Sequence, residues 1–240
     1  MKICYNIRMV KKIIYLVVLI LLSLCVIEGV RVAIAEAVVY PILYSLAEKQ
    51  DNFRLYIKCG QIKIMAKKYD EAREDLTYVI ENSVTSKDKR NKVLALYYLG
   101  NTFYEEEDYD EALTAYAAVL KLDPINKKAL KKFSRIKMAM GEYVSLYPYI
   151  SAYVREKPKD SFGWAERCAV LTRLDKFTAA RQCCEKAIEL RKSNARAHLD
   201  YAILLEKRGF KDLAKREYTE AYAYQKRIKT REELEDMLNI

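Results

Sequence analysis

Apolar residues are laid out along this chain in two ways. Ile13 to Ile27 (IIYLVVLILLSLCVI) is fifteen residues without a charge, closed by Glu28 and Arg31. From residue 53 onward the large apolar and aromatic residues instead alternate with charged ones, and the arrangement returns with a fixed period. Pro124 and Pro158 are 34 apart, Gly141 and Gly209 are 68 apart, and Ala112, Ala180 and Ala214 are separated by 68 and 34. Gly60 to Gly100 and Ala72 to Ala112 are both 40, which is one period plus six residues. A period of this size predicts helical supersecondary units, each burying its apolar face against its neighbours.

Setting Gly100 at repeat position 8 places Leu96 at 4, Leu99 at 7, Phe103 at 11, Ala112 at 20, Tyr116 at 24 and Pro124 at 32 of a unit spanning 93–126. The same frame gives units at 53–86 (Tyr56, Gly60, Tyr69, Ala72), 161–194 (Trp164, Phe177, Ala180, Ala187) and 195–228 (Gly209, Ala214, Tyr218, Ala221). The unit at 127–160 is degenerate: it keeps Gly141 and Pro158 but has Ser134 at position 8 and Leu146 at position 20. Residues 87–92 (KDKRNK) are read as a basic insertion loop, 36–52 as a connecting helix, and 229–240 as a C-terminal capping helix.

These phases resemble the tetratricopeptide repeat family. The resemblance implies an all-α fold, a right-handed solenoid of about five helix-turn-helix units after an N-terminal hydrophobic helix. Packing explains the pattern. Small residues at positions 8 and 20 let the two helices of a unit approach closely. Large residues at 4, 7, 11 and 24 fill the layers. Proline at 32 cannot continue a helix. Acidic residues in Asp108-Tyr109-Asp110-Glu111-Ala112 and Lys68-Tyr69-Asp70-Glu71-Ala72 sit where second helices start, favourably for the helix dipole.

The N-terminal segment reads as a targeting or membrane element. Lys2, Arg8, Lys11 and Lys12 precede the apolar run. At about 1.5 Å per residue the run spans roughly 22 Å, short of the ~30 Å hydrocarbon core. An uncleaved single-pass anchor and a cleaved signal with its site near Ala35 (Ala33-Ile34-Ala35) therefore both stay open. Either reading leaves the N-terminus cytoplasmic and the repeats extracytoplasmic, or periplasmic or secreted after cleavage. The net charge of +10 divides into +4 for residues 1–35 and +6 for the remainder.

The resemblance also implies that positions 2, 5, 9, 12 and 13 face a concave groove. In this chain they give Arg54, Ile57, Gln61 and Ile64, then Tyr97, Asn101, Tyr104 and Glu105, then Lys128, Lys131, Arg135 and Met138. Ala165, Thr172 and Arg173, with Arg196 and Leu199, complete the set. A basic, partly aromatic groove suits an extended peptide or partner protein bearing carboxylates. The carboxylate clamp of chaperone-binding members is not expected. Asn101 fits it, but Lys132, Phe162 and Glu166 stand where asparagine and basic residues are required.

Composition argues against catalysis. One His, no C-x-x-C and no His/Cys cluster leave no metal or cofactor site in the sequence, and no nucleophile motif appears. His198 and Cys59, Cys168 and Cys184 fall at packing phases. Cys168 is expected near Cys183 or Cys184, and a disulfide there requires a Cα separation under about 7 Å. The basic stretch 191–231 is compatible with an anionic polymer or membrane surface; the export segment argues against nucleic acid. Two functions follow: a membrane-tethered protein-binding scaffold, held by residues 13–27 and serving envelope complex assembly, or a cleaved, exported accessory factor that binds a polyanion or assembles with itself.

Overall fold

The computed structural model describes Pro41, Ile42, Ser45 and residues 53–238. The apolar run 13–27, the Ala33-Ile34-Ala35 site and most of 36–52 lie outside the described residues. Among the described residues there are ten α-helices and no strands. No helix among them is long and apolar enough to cross a membrane.

The helices are α1 (Phe53–Met65), α2 (Tyr69–Asn82), α3 (Lys89–Glu105), α4 (Tyr109–Leu122), α5 (Lys127–Ala139), α6 (Tyr143–Glu156), α7 (Ser161–Arg173), α8 (Phe177–Leu190), α9 (Ala195–Lys207) and α10 (Lys211–Leu238). The second helices of successive pairs begin at Tyr69, Tyr109, Tyr143, Phe177 and Lys211, at spacings of 40, 34, 34 and 34. Between the two helices of each pair the backbone turns through one residue with positive φ. These are Lys67, Glu107, Gly141, Asp175 and Gly209, at the same spacings of 40, 34, 34 and 34. Only two of the five are glycine, so three L-residues hold a left-handed conformation that costs roughly 1–2 kcal/mol.

First helices are started by side-chain caps that recur in step with the turns. Asn126 accepts from the Ala129 amide, Asp160 from Phe162 and Asn194 from Ala197. Each satisfies a backbone donor with no partner inside the helix. Asp160 is also held by the Tyr153 hydroxyl at 2.6 Å and the Lys127 ammonium at 3.0 Å. Burial pushes its carboxyl up, but Tyr153, the Phe162 amide and Lys127 together hold it below its ordinary value.

Two boundaries differ from the sequence reading. Residues 89–92, expected in a loop, form the first turn of α3; a 3-10 turn over Ser86–Asp88 leads into it. The insertion thus lengthens α3 to 17 residues, against 13 for α1, α5, α7 and α9. At the other end, α10 runs unbroken for 28 residues rather than giving way to a separate helix at 229. Nothing in Lys211–Leu238 interrupts it: there is no Gly or Pro, and Glu, Lys, Arg and Leu favour the helix.

The chain divides inside α4, between Ala115 and Tyr116, into two compact units. In the first unit, Ile57, Leu76, Val79 and Ala95 form a core against which Phe53, Tyr56, Tyr98 and Leu99 pack. A Cβ on Gly60 would lie 3.0 Å from Leu76 Cγ and 3.5 Å from the Ala72 carbonyl, so α1 and α2 meet here at glycine distance. Inside this unit Lys63, buried, pairs with buried Asp75 at 2.9 Å. Arg73 lies 5.0 Å over the Phe103 ring and bridges Asp70 and Glu106.

In the second unit, Cys168, Leu171, Ala180, Cys183, Cys184 and Leu204 form one buried cluster, with Trp164, Tyr147, Phe177 and Tyr201 around it. Ala165, Ala187 and Ala197 form another. Cys168 and Cys184 are joined by a disulfide between α7 and α8, with a Cα separation of 5.2 Å. Of the two partners left open for Cys168, the structure selects Cys184; Cys183 is a buried free thiol. Trp164 Nε1 donates to the Pro158 carbonyl at 2.8 Å, so two signature residues of the pattern are bonded to each other. Gly163 was not part of the periodic pattern, yet a Cβ there would lie 2.8 Å from the Tyr153 ring; it is where α7 crosses α6.

Candidate functional site

The first helices carry the candidate contacts, and the two units present different chemistry. In the first unit α1 and α3 supply Arg54, exposed, and Gln61, Tyr97, Asn101 and Tyr104, all half-buried. Gln61 hydrogen-bonds the Tyr98 hydroxyl. The Tyr97 ring meets Tyr98 edge-on at 5.4 Å, and Tyr104 meets Tyr109 in the same way at 5.8 Å. Packed tyrosines with hydroxyls at the margin give a rigid, amphipathic surface of low ordering cost. Ile57 was expected to line this face; instead it is buried in the core.

In the second unit α5 carries Lys128, Lys131 and Arg135, all exposed. Their spacing of three and four places them on one helical face. Asn126 caps α5, and Ala129, Leu130, Phe133 and Ile136 anchor it on the opposite side. Arg173 on α7 and Arg196 on α9 are also exposed. Ala165 and Thr172, expected beside them, are buried: Ala165 packs against Ala187 and Ala197, and the Thr172 hydroxyl donates back to the Cys168 carbonyl.

Two acids lie among these cations. Buried Ser134 on α5 donates to the Glu166 carboxylate on α7. On α9, Arg196 Nε donates to Asp200 Oδ2 at 2.6 Å. Asp200 is only 4% exposed. Burial pushes its carboxyl up to about 6, against the pull of Arg196 and Arg173 and reinforced by Glu166. Glu166 and Asp200 are themselves 34 apart, at position 6 of their repeats. That recurrence was the available signal: position 6 is outside the groove positions 2, 5, 9, 12 and 13, and is one where the carboxylate clamp requires asparagine or a basic residue.

Among the described residues, the free thiols and the histidine are buried. Burial pushes the Cys59 thiol up to about 12, with Asp75 adding to the shift, and burial also raises Cys183. Both thiols therefore stay protonated at neutral pH and are poor nucleophiles. His198 is buried, with Nδ1 2.6 Å from Glu217 and Nε2 2.8 Å from the Lys192 carbonyl. Among the described residues no group of three or more His, Cys, Asp or Glu side chains is arranged to hold a metal. An open concavity of about 520 Å³ lies on the last helix pair, lined by Glu206, Lys211, Lys215, Tyr218 and Tyr222 among others. Tyr218, at a packing phase of the repeat, also lines this concavity.

Comparison with known proteins supports the repeat reading. The family model described as tetratricopeptide repeat matches residues 93–126. The BBSome complex member BBS4 of Bos taurus is 28% identical over 122 residues, and that of Xenopus tropicalis 25% over the same length. In each case 51% of this chain is covered but only 24% of the relative, so the chain spans about a quarter of the curated relatives it matches. Among solved structures, MamA (residues 41 to end) of Desulfovibrio magneticus RS-1 superimposes with TM-score 0.56 at 18% identity, covering 72% of this chain and 95% of that one. YrrB, described as a TPR protein with an unusual peptide-binding site, gives 0.59 at 15%, covering 76% and 92%. At these identities the structures share the fold.

Proposed function

We propose that this chain is a non-enzymatic protein-interaction scaffold that binds a carboxylate-bearing segment of a partner protein on its first-helix faces. The carrying observation is the row of exposed cations Lys128, Lys131 and Arg135, with Arg173 and Arg196 on first helices of the same unit. Arginine and lysine in such a row make charge-assisted hydrogen bonds to carboxylates, and their long stems give an apolar floor. In the first unit Arg54, Gln61, Tyr97, Asn101 and Tyr104 offer one cation, two amides and two aromatic rings to the same kind of ligand. Tetratricopeptide repeats mediate protein–protein interaction, and the likeness to a peptide-binding TPR protein supports this reading.

In the same reading residues 13–27 tether the chain and the repeats lie outside the cytoplasm, where the scaffold serves envelope complex assembly. The basic residues ahead of the apolar run support this, as does the Cys168–Cys184 disulfide, since such bonds persist mainly in oxidising compartments. The test is crosslinking in intact cells followed by co-purification, with a Lys131→Ala/Arg135→Ala variant beside the parent. Loss of the crosslinked partner, or a flatter salt dependence, is expected. Unchanged recovery and unchanged salt dependence would overturn the proposal. A second reading, a cleaved accessory factor binding a polyanion, draws on the basic run 191–231; it predicts elution from an anionic matrix at moderate salt and loss of about 35 residues from the mature chain.

A further inference from the structure

We infer that Asp200 is a specificity-determining residue of the basic face, holding Arg196 through Nε so that a partner's carboxylate must compete with Asp200 for the same positive charge. This rests on the acidic-segment reading above and deepens it. Arg196 has half of its side chain in solvent, while the side chain of Asp200 beneath it is 6% exposed. Only Nε of Arg196 is spent on Asp200. Its terminal nitrogens are the fork that reads a carboxylate in two-point fashion.

The charges acting on Asp200 are Arg196 on its own helix and Glu166 and Arg173 on α7. Neighbouring acids on the other packed helices have their own partners. Glu185 on α8 is held by Arg181 and Tyr201, and Glu217 on α10 by His198. Glu166 takes the Ser134 hydroxyl. A buried carboxylate with one arginine donor and a second acid nearby is a poorly stabilised charge. It takes up a proton at mildly acidic pH, about 6, where the glutamates of a ligand, with ordinary values of ~4.3, are still ionised. Protonation removes one negative charge from beneath the face and releases Arg196 to the ligand. The face thus gains affinity for an acidic segment as pH falls from 7.5 to 5.5, and its neutral-pH affinity is set by the Asp200–Arg196 pair.

The experiment uses the full chain in mild detergent and a fluorescein-labelled twelve-residue polyglutamate peptide, with binding read by anisotropy at pH 5.5 and 7.5. The parent is expected to bind roughly three- to tenfold tighter at pH 5.5, the scale of one unit charge within a Debye length. Asp200→Asn keeps the shape and is expected to bind at pH 7.5 as tightly as the parent at pH 5.5, with little pH response. Arg196→Gln is expected to lose the response and bind more weakly, while His198→Asn retains it. Circular dichroism confirms that each variant keeps its helix content. If binding depends on Lys131 and Arg135 but Asp200→Asn leaves the pH profile unchanged, the Asp200 inference is overturned and the basic-face reading stands. If the peptide does not bind, or binds indifferently to Lys131→Ala/Arg135→Ala, both fall.

Discussion

Gly141 and Gly163 predict opposite physics for the same substitution. At Gly141 the backbone has φ +76, and a Cβ would find its nearest neighbour, Tyr143 Oη, 4.0 Å away. Gly141→Ala therefore meets no steric barrier and costs only conformation. The left-handed penalty of roughly 1–2 kcal/mol is offset by about 0.4–1 kcal/mol of lost freedom in the unfolded chain. The net expectation is about 1 kcal/mol of destabilisation. At Gly163 no left-handed φ is involved, but the Cβ would lie 2.8 Å from Tyr153 Cδ1 and 3.1 Å from Val154 Cγ2. Gly163→Ala should cost about 1–3 kcal/mol by overpacking, less up to ~1 kcal/mol of helix propensity gained. Urea unfolding followed by circular dichroism separates the two. At a slope of about 2–3 kcal/mol/M, 1 kcal/mol moves the midpoint by roughly 0.3–0.5 M. The discriminating step is a double-mutant cycle with Tyr153→Leu, which should relieve Gly163→Ala and leave Gly141→Ala unaltered. The reciprocal change, Glu107→Gly, at φ 66, should stabilise by about 1 kcal/mol on the same balance. A Gly141→Ala chain as stable as the parent, or no coupling between positions 153 and 163, would mean that the left-handed turn or the Tyr153 contact, respectively, does not require glycine.

Other outcomes follow from particular contacts. Reducing the Cys168–Cys184 bond, which spans a sequence separation of 16, should lower stability by about 3 kcal/mol, checked by denaturant midpoints with and without reductant. Ala112 is fully buried, so Ala112→Phe should cost about 1–3 kcal/mol in a thermal melt. Asp200 holds its proton more tightly folded than unfolded. Its contribution is therefore complete below its ordinary value of ~3.9 and is lost as pH rises through about 6. Asp200→Asn should flatten that part of the stability–pH curve and raise stability at pH 7, measured by urea midpoints between pH 4 and 7.5.

Much of the fold was written in the spacing of rare residues. Gly60, Gly100, Gly141, Gly209, Pro124 and Pro158 mark close approaches, turns and helix stops, and few other residue types do those jobs. The same turns at Lys67, Glu107 and Asp175 were not legible, because a non-glycine residue carries no mark of positive φ. Gly163 stands outside the periodic pattern for the converse reason: its cause is the Tyr153 ring of the preceding helix, which no local pattern shows. The insertion and the C-terminal end differ from the sequence reading because 89–92 (KRNK) and 229–238 (KTREELEDML) continue their helices with no Gly or Pro to stop them. On the candidate face, Lys128, Lys131, Arg135 and Arg173 fall on exposed positions. Ile57, Ala165 and Thr172 are buried: Ile57 packs with Leu76, Val79 and Ala95, Ala165 with Ala187 and Ala197, and the Thr172 hydroxyl donates to the Cys168 carbonyl. The acids Glu166 and Asp200 are legible as a recurrence one period apart, and Glu166 as a departure from the carboxylate clamp, but their burial and partners are not, because those come from neighbouring helices.

Partner binding at the first-helix faces can be read by site-specific photocrosslinking in living cells. A benzophenone amino acid is placed in turn at Lys128 and Arg135 on α5, and at Arg181 and Lys186 on α8, a second helix of the same unit. A discrete higher-mass adduct is expected from 128 and 135, weakened by raising salt, and none from 181 or 186. The same adduct from α8, with none from α5, would contradict binding at the first-helix faces.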